Sequence, residues 1–173
     1  TTANRNTAVG YQSLTTTTTG ADNSAFGRGA LASTTTGDNN TGLGRQALAA
    51  NTTGAENVAV GALALDALTT ANHNSCLGDS SLTAVTTGTQ NTAIGRAAGS
   101  SITTGSNNTC LGYNTGTTGS PNGAIGTASN LVIIGDNNVA AIHTQVSITV
   151  ASDERDKTDI TDFTKGLDWI KAL

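Results

Sequence analysis

Hydroxyl groups recur in this chain at a fixed interval. Threonines stand in adjacent pairs at Thr1-Thr2, Thr18-Thr19, Thr35-Thr36, Thr52-Thr53, Thr69-Thr70, Thr86-Thr87 and Thr103-Thr104, 17 residues apart each time. Such a row can do one of two things. β-Branched side chains stacked on one another stabilise neighbouring strands, or an ordered array of donors and acceptors is offered to ice or carbohydrate. A second concentration of polar chemistry is the run Ser152-Asp153-Glu154-Arg155-Asp156-Lys157. It sets one hydroxyl, three carboxylates and two cations within six residues, and its plainest reading is a solvated charged loop.

Other chemistry-bearing residues point to no site. Cys76 and Cys110 are 34 residues apart, which in a 17-residue repeat is two layers, roughly 9.6 Å at the spacing of stacked strands. A disulfide tolerates about 7 Å between Cα atoms, so these read as small buried thiols. His73 and His143 lack the neighbouring Cys or carboxylate spacing of a metal site. Gly27-x-Gly29 and Gly42-x-Gly44 are products of the repeat, without the strand-then-helix context of a dinucleotide fingerprint. The sequence therefore predicts no metal, no cofactor and no turnover enzyme.

The hydroxyl rows belong to a longer repeated sentence, T-T-[G/A]-x-x-N-x-[small]-[large apolar]-G, which occurs seven times. Its asparagines are Asn6, Asn23, Asn40, Asn57, Asn74, Asn91 and Asn108, each followed four residues later by a glycine, Gly10 through Gly112. A fixed short period makes the chain a stack of similar units. Composition agrees: 21 Gly, one Pro, no Met and 3% aromatic residues in 173 positions cannot fill a globular interior, but suit coils that bury one another. The expected fold is all-β, a parallel β-solenoid (β-roll) of about seven 17-residue coils, rising on the order of 34 Å.

Each column of the stack has its own physical task. The recurring glycine predicts positive φ or close backbone approach. Asparagine tolerates left-handed turns and hydrogen-bonds locally, and stacked asparagines form ladders. Between them lie a small column (Ala8, Ala25, Gly42, Ala59, Cys76, Ala93, Cys110) and a large apolar one (Val9, Phe26, Leu43, Val60, Leu77, Ile94, Leu111). Adjacent strand residues point to opposite faces, so one column serves the chain's own core and the other requires a neighbouring chain. That favours an oligomer, with a fibrous homotrimer as its natural form. A second short strand ending at Leu14, Leu31, Leu48, Leu65 and Leu82 is expected to close each coil. The variable residues after each glycine, such as Arg28, Arg45, Ala62, Asp79, Arg96 and Tyr113, are expected to face solvent.

Towards the C-terminal side the rhythm changes. Asn122-Gly123-Ala124-Ile125-Gly126 repeats the core of the sentence after only 14 residues, followed by apolar runs at 131–134 and 139–150 that read as two strands. Charge then shifts abruptly: residues 1–151 carry four basic and six acidic side chains, and residues 152–173 carry the same numbers. The organisation expected is a solenoid over 1–126, transition strands over 127–151 and a different domain over 152–173, opening with a short helix through Leu167, Ile170 and Leu173. A net charge of -4 argues against a nucleic-acid partner. No stretch approaches the roughly 20 apolar residues of a membrane helix, so no membrane insertion is expected. No signal peptide is visible, and with Thr1 in place of an initial Met the chain is expected to be a fragment.

The N-x-A-[V/I]-G core resembles the left-handed parallel β-roll of YadA-like trimeric autotransporter heads, in which three rolls pack side by side about an axis; the period there is usually 14. The run from Val150 to Ile160 resembles the start of the intramolecular chaperone domain of phage tail spikes and fibres. That peptidase family opens with S-D-x-R-x-K, matched here by Ser152, Asp153, Arg155 and Lys157. In the family the domain assists trimerisation and then cuts itself off before the serine, which implies a scissile bond at Ala151–Ser152. The resemblance implies Ser152 as nucleophile and Lys157 as its proton-transfer partner, supported by Asp153 and Arg155. A Ser hydroxyl attacks poorly until a base takes its proton, and a Lys serves as that base once burial or a nearby cation lowers its pKa.

Together these resemblances imply a structural and receptor-binding segment of a homotrimeric phage tail fibre, with single-turnover self-cleavage at most. The expected place is the virion, after synthesis in the host cytoplasm. Partners would be other virion tail proteins and a host-surface glycan or outer-membrane protein. The alternatives are a trimeric autotransporter adhesin head on a bacterial cell surface, an ice-binding solenoid using the threonines, and a glycan-cleaving spike.

Overall fold

A computed structural model describes residues 2–120 and 123–141. Within them the chain is all-β, a solenoid with eight parallel strands in a single sheet and no helix. The strands are β1 (Thr7–Val9), β2 (Ser24–Phe26), β3 (Thr41–Leu43), β4 (Val58–Val60), β5 (Ser75–Leu77), β6 (Thr92–Ile94), β7 (Thr109–Leu111) and β8 (Val132–Ile134). Each pairs only with its neighbours in sequence, in the order β1 to β8. Thr7, Ser24 and Thr41 stand in register, and so on as far as Thr109 in β7, at the predicted interval of 17.

Three-residue strands survive because what flanks them is also stacked. Asn23, Asn40, Asn57, Asn74, Asn91 and Asn108 are all buried. Each Oδ1 accepts the backbone N–H of the next ladder position: Asn40 N–H to Asn23 at 2.9 Å, Asn74 N–H to Asn57 at 3.0 Å, Asn108 N–H to Asn91 at 3.0 Å. Each Nδ2 donates to a backbone carbonyl one coil further along, as Asn23 does to Gly37 and Asn57 to Ala71, both 2.8 Å. The predicted ladder is thus present, but its asparagines are not the left-handed residues. That conformation belongs to the residue before each: Arg5, Asp22, Asn39, Glu56, His73, Gln90 and Asn107, with φ between 53° and 61°.

The threonine pairs also form a ladder, although in bends rather than strands. From Thr18 to Thr86 the first member of the pair donates its hydroxyl to the carbonyl of its counterpart in the next coil: Thr18 to Thr35 at 3.0 Å, Thr52 to Thr69 at 3.0 Å, Thr86 to Thr103 at 3.3 Å.

The small column faces inward. Ala25, Ala59, Cys76, Ala93 and Cys110 are buried against Leu31, Leu48, Leu65 and Leu82. At Gly42 an added Cβ would come within 3.3 Å of Leu31 Cγ. The interior is tight at Gly42, whereas further along the same inward column takes Cys76, Cys110 and, in β8, Ile133.

Two expectations are corrected. The leucines do not end a second strand. Leu14, Leu31, Leu48, Leu65 and Leu82 have φ between 48° and 54° and lie in consecutive turns. Left-handed φ disfavours extended backbone, and the turns roll each leucine into the core. Nor does a 14-residue coil end the series. β7 pairs with β8 as Thr109↔Val132, so the last step is 23 residues. Gly123–Gly126 takes another place: Ile125 enters the core, and the Gly126 carbonyl accepts the Thr103 N–H at 2.8 Å and its hydroxyl at 3.2 Å. The segment resembles the strand sentence but extends the threonine ladder. The strand expected within 139–150 and the helix within 152–173 lie outside the described residues, apart from 139–141, which form no strand.

Candidate functional site

With the small column turned inward, alternation along each strand turns its neighbours outward. The outer face of the sheet carries the large column as a continuous ridge. Val9, Leu43, Leu77 and Ile94 are 55, 46, 53 and 49% exposed. Phe26 and Ile134 are exposed too, while Val60 and Leu111 are half-buried. Beside it run the first strand residues, among them Val58, Thr92 and Val132. A shallow apolar groove crosses the middle of this face, between Val58, Val60, Ser75, Leu77, Thr92 and Ile94. Isolated exposed apolar residues need no explanation, whereas a contiguous apolar stripe marks an interaction site.

Two polar columns edge the ridge. On one side, at the left-handed corner before each asparagine, stand Arg5, Asp22, Asn39, Glu56, His73 and Gln90, all exposed. Arg5 donates to Asp22 twice, at 2.6 and 2.7 Å, and these hydrogen bonds hold the Asp22 carboxyl below the usual carboxylate range. His73 Nε2 lies 3.2 Å from Glu56. On the other side, after each glycine, stand Tyr11, Arg28, Arg45, Ala62, Asp79, Arg96 and Tyr113, exposed as expected except for the half-buried Ala62. Arg96 lies 3.9 Å from Asp79 and sits over the Tyr113 ring, 5.4 Å from its centroid.

The corner glycines fix this layout. Gly61 has φ of 140°, and a Cβ there would lie 2.3 Å from the Gly78 carbonyl oxygen. The chain turns off the sheet at that point, which places the next residue at the ridge's edge. The first edge column escaped the sequence reading, although its signal was present: variable, mostly polar positions directly before an unvarying asparagine.

Of the threonine hydroxyls, the first row is consumed by the ladder. The second row, Thr19, Thr36, Thr53, Thr70, Thr87 and Thr104, is exposed. Cys76 and Cys110 are free and buried, and burial pushes both thiols up to about 11. No group of three or more His, Cys, Asp or Glu comes together as a metal site among the described residues. No helix among them is long and apolar enough to cross a membrane. Ser152, Asp153, Arg155, Lys157 and the Ala151–Ser152 bond lie outside the described residues. No family model, curated protein or solved structure matches the chain.

Proposed function

We propose that this chain is a structural and receptor-binding segment of a phage tail fibre that works as a homotrimer. The observation that carries the reading is the exposed apolar ridge along the sheet, which a solitary solenoid would leave in water. Three ridges turned to a common axis would remove it, at roughly 25 cal/mol per Å² of apolar surface covered. The stacked ladders supply what a fibre needs mechanically, because each coil is bound to the next by backbone, Asn and Thr hydrogen bonds. The exposed second threonines, which the ladder does not consume, stay available for a host-surface glycan or outer-membrane protein.

The viral assignment rests on S-D-E-R-D-K following the repeat. In this reading Ser152 Oγ, its proton taken by Lys157, attacks the Ala151 carbonyl; the Ala151–Ser152 amide breaks as its nitrogen takes that proton, and water then hydrolyses the resulting ester, which frees the downstream segment once with Ser152 as its first residue. Mass spectrometry of the chain with a longer C-terminal extension tests it beside a Ser152→Ala variant. Loss of the downstream piece in the parent alone supports self-processing; intact mass in both removes it. Light scattering tests the assembly separately, and a monomer would overturn the homotrimer.

An ice-binding role is less favoured by the same geometry. Half of the paired hydroxyls are committed to carbonyls within the stack, leaving one exposed threonine per coil.

A further inference from the structure

The residue directly before each threonine pair forms a column of its own, and that column changes character along the stack. It reads Thr17, Thr34, Asn51, Leu68, Val85, Ile102. The last three belong to the apolar core. Thr34 and Asn51 are equally buried, and the Oγ1 of the partly exposed Thr17 lies inside with them. Among the described residues, Thr17 Oγ1, Thr34 Oγ1 and Asn51 Oδ1 are buried and make no hydrogen bond. These three oxygens occupy successive coils of one column.

The fold does not let them satisfy one another. Equivalent atoms of neighbouring coils stand about 4.8 Å apart, beyond a direct hydrogen bond. Reversing the Asn51 amide gives no relief. Its Nδ2 donates to the Gly54 carbonyl at 3.0 Å, and the reversed amide would set oxygen against oxygen there. Buried polar groups are stable only with partners, and three in line call for a shared one.

We propose that Thr17, Thr34 and Asn51 hold two internal water molecules, one between Thr17 and Thr34 and one between Thr34 and Asn51. A water making bonds of about 2.8 Å to two atoms about 4.8 Å apart subtends roughly 118°, an ordinary angle for it. The donor set selects water. Asn51 Oδ1 only accepts, so its partner must donate, and each threonine hydroxyl needs somewhere to place its hydrogen. A cation would take no hydrogen from threonine, and this column offers no carboxylate to balance a buried charge. Leu68 and Ile102, in the same column, each carry one side-chain atom more than threonine, so the stack accommodates more than the hydroxyls themselves. The site belongs to the single solenoid and does not depend on how copies associate.

A high-resolution crystal structure of the 173-residue chain tests the proposal directly. Two water peaks are expected within about 3.2 Å of the three oxygens, with none beside Leu68, Val85 or Ile102. Water relaxation dispersion reads the same site in solution, because it counts waters held longer than the protein tumbles. Thr17→Val, Thr34→Val and Asn51→Leu together continue the apolar half of the column. This triple variant, with the circular dichroism of the parent, should hold about two fewer long-lived waters per chain. The proposal is overturned if the crystal shows the three oxygens bonded to protein atoms with no peak between them. It is equally overturned by a peak with the short contacts of a cation, about 2.4 Å, or by an unchanged water count in the folded variant. If the variant does not fold, the parent crystal decides alone.

Discussion

Asn57 accepts two hydrogen bonds from Asn74 on the same Oδ1, the backbone N–H at 3.0 Å and the side-chain Nδ2 at 3.2 Å. Its own Nδ2 donates to Asn40 Oδ1 at 3.1 Å and to the Ala71 carbonyl at 2.8 Å. Only a short amide does both jobs at once. Alanine leaves buried donors and acceptors unpaired, each costing about 1–3 kcal/mol, so Asn57→Ala should lose at least about 3 kcal/mol in urea unfolding. Asn57→Asp should be no better, since a buried carboxylate would face the Asn40 oxygen and the Ala71 carbonyl. Asn6→Ala, at the partly buried end of the ladder, should cost about 1 kcal/mol. Equal losses at Asn6 and Asn57 would mean that ladder burial does not set the energy.

The glycines divide into two groups by what surrounds them. Gly61 combines φ of 140° with a Cβ position 2.3 Å from the Gly78 oxygen, a backbone carbonyl already held by the Ser81 N–H at 3.3 Å and hydroxyl at 2.8 Å. Gly61→Ala should therefore cost about 3 kcal/mol or more, or yield no folded protein. Gly29 has φ of 70° and only Gln46 Cγ at 3.5 Å nearby. Its column holds Gln12, Gln46 and Ser80 in the same left-handed region, so Gly29→Gln should fold with a change within about 1 kcal/mol. Thermal melts of the two variants decide the matter, and a mild Gly61→Ala would refute the close-approach argument.

These contrasts show which parts of the structure were legible in the sequence. The interval of 17, the asparagine ladder and the inward-outward split were readable because each column repeats one residue type. The direction of that split was not. Deciding it takes the leucines of the turns, which pack against the small column inside the coil. Those leucines misled in turn, since an apolar residue at a fixed position suits a strand as well as a left-handed corner, and only φ tells them apart. Gly123–Gly126 misled for a related reason: four residues can copy the wording of a strand while their carbonyls and Ile125 serve another side of the coil. The edge column from Arg5 to Gln90 was hidden by its variability, because a column whose chemistry lies in differences between coils has no consensus.

Burial of Cys76 raises its thiol to about 11 from an ordinary value of 9.0. The unfolded chain therefore loses this proton first as pH rises. Stability contributed by the neutral buried thiol is fully present below about pH 9 and falls between about 9 and 11, by on the order of 2 kcal/mol. Melting temperatures of the parent and Cys76→Ala should run parallel up to pH 9 and then converge or cross. Alanine fits this column, which already carries Ala59 and Ala93 on either side. A constant difference from pH 8 to 11 would show that the thiol ionises as easily in the fold as outside it. Disulfide-exchange reagents should label neither Cys76 nor Cys110 at neutral pH until the chain is unfolded.

Leu77 and Ile94 are 53 and 49% exposed in the single chain, so their side chains contribute only partly to its own core. Covering the exposed half of each would gain about 1 kcal/mol per residue per copy, repeated along the ridge. Replacing both with arginine should therefore separate the copies while leaving each solenoid folded. The expected result is a mass reduced to that of one chain in light scattering, with far-UV circular dichroism and the melting of the monomer close to those of the parent diluted below its dissociation constant. A matched change at Thr70→Arg with Thr87→Arg places the same charge on exposed positions of the threonine row, outside the large apolar column, and should leave the mass unchanged. If both pairs dissociate the protein equally, added charge rather than loss of the ridge is responsible. If the ridge variant keeps the parent's mass, the copies meet through another face.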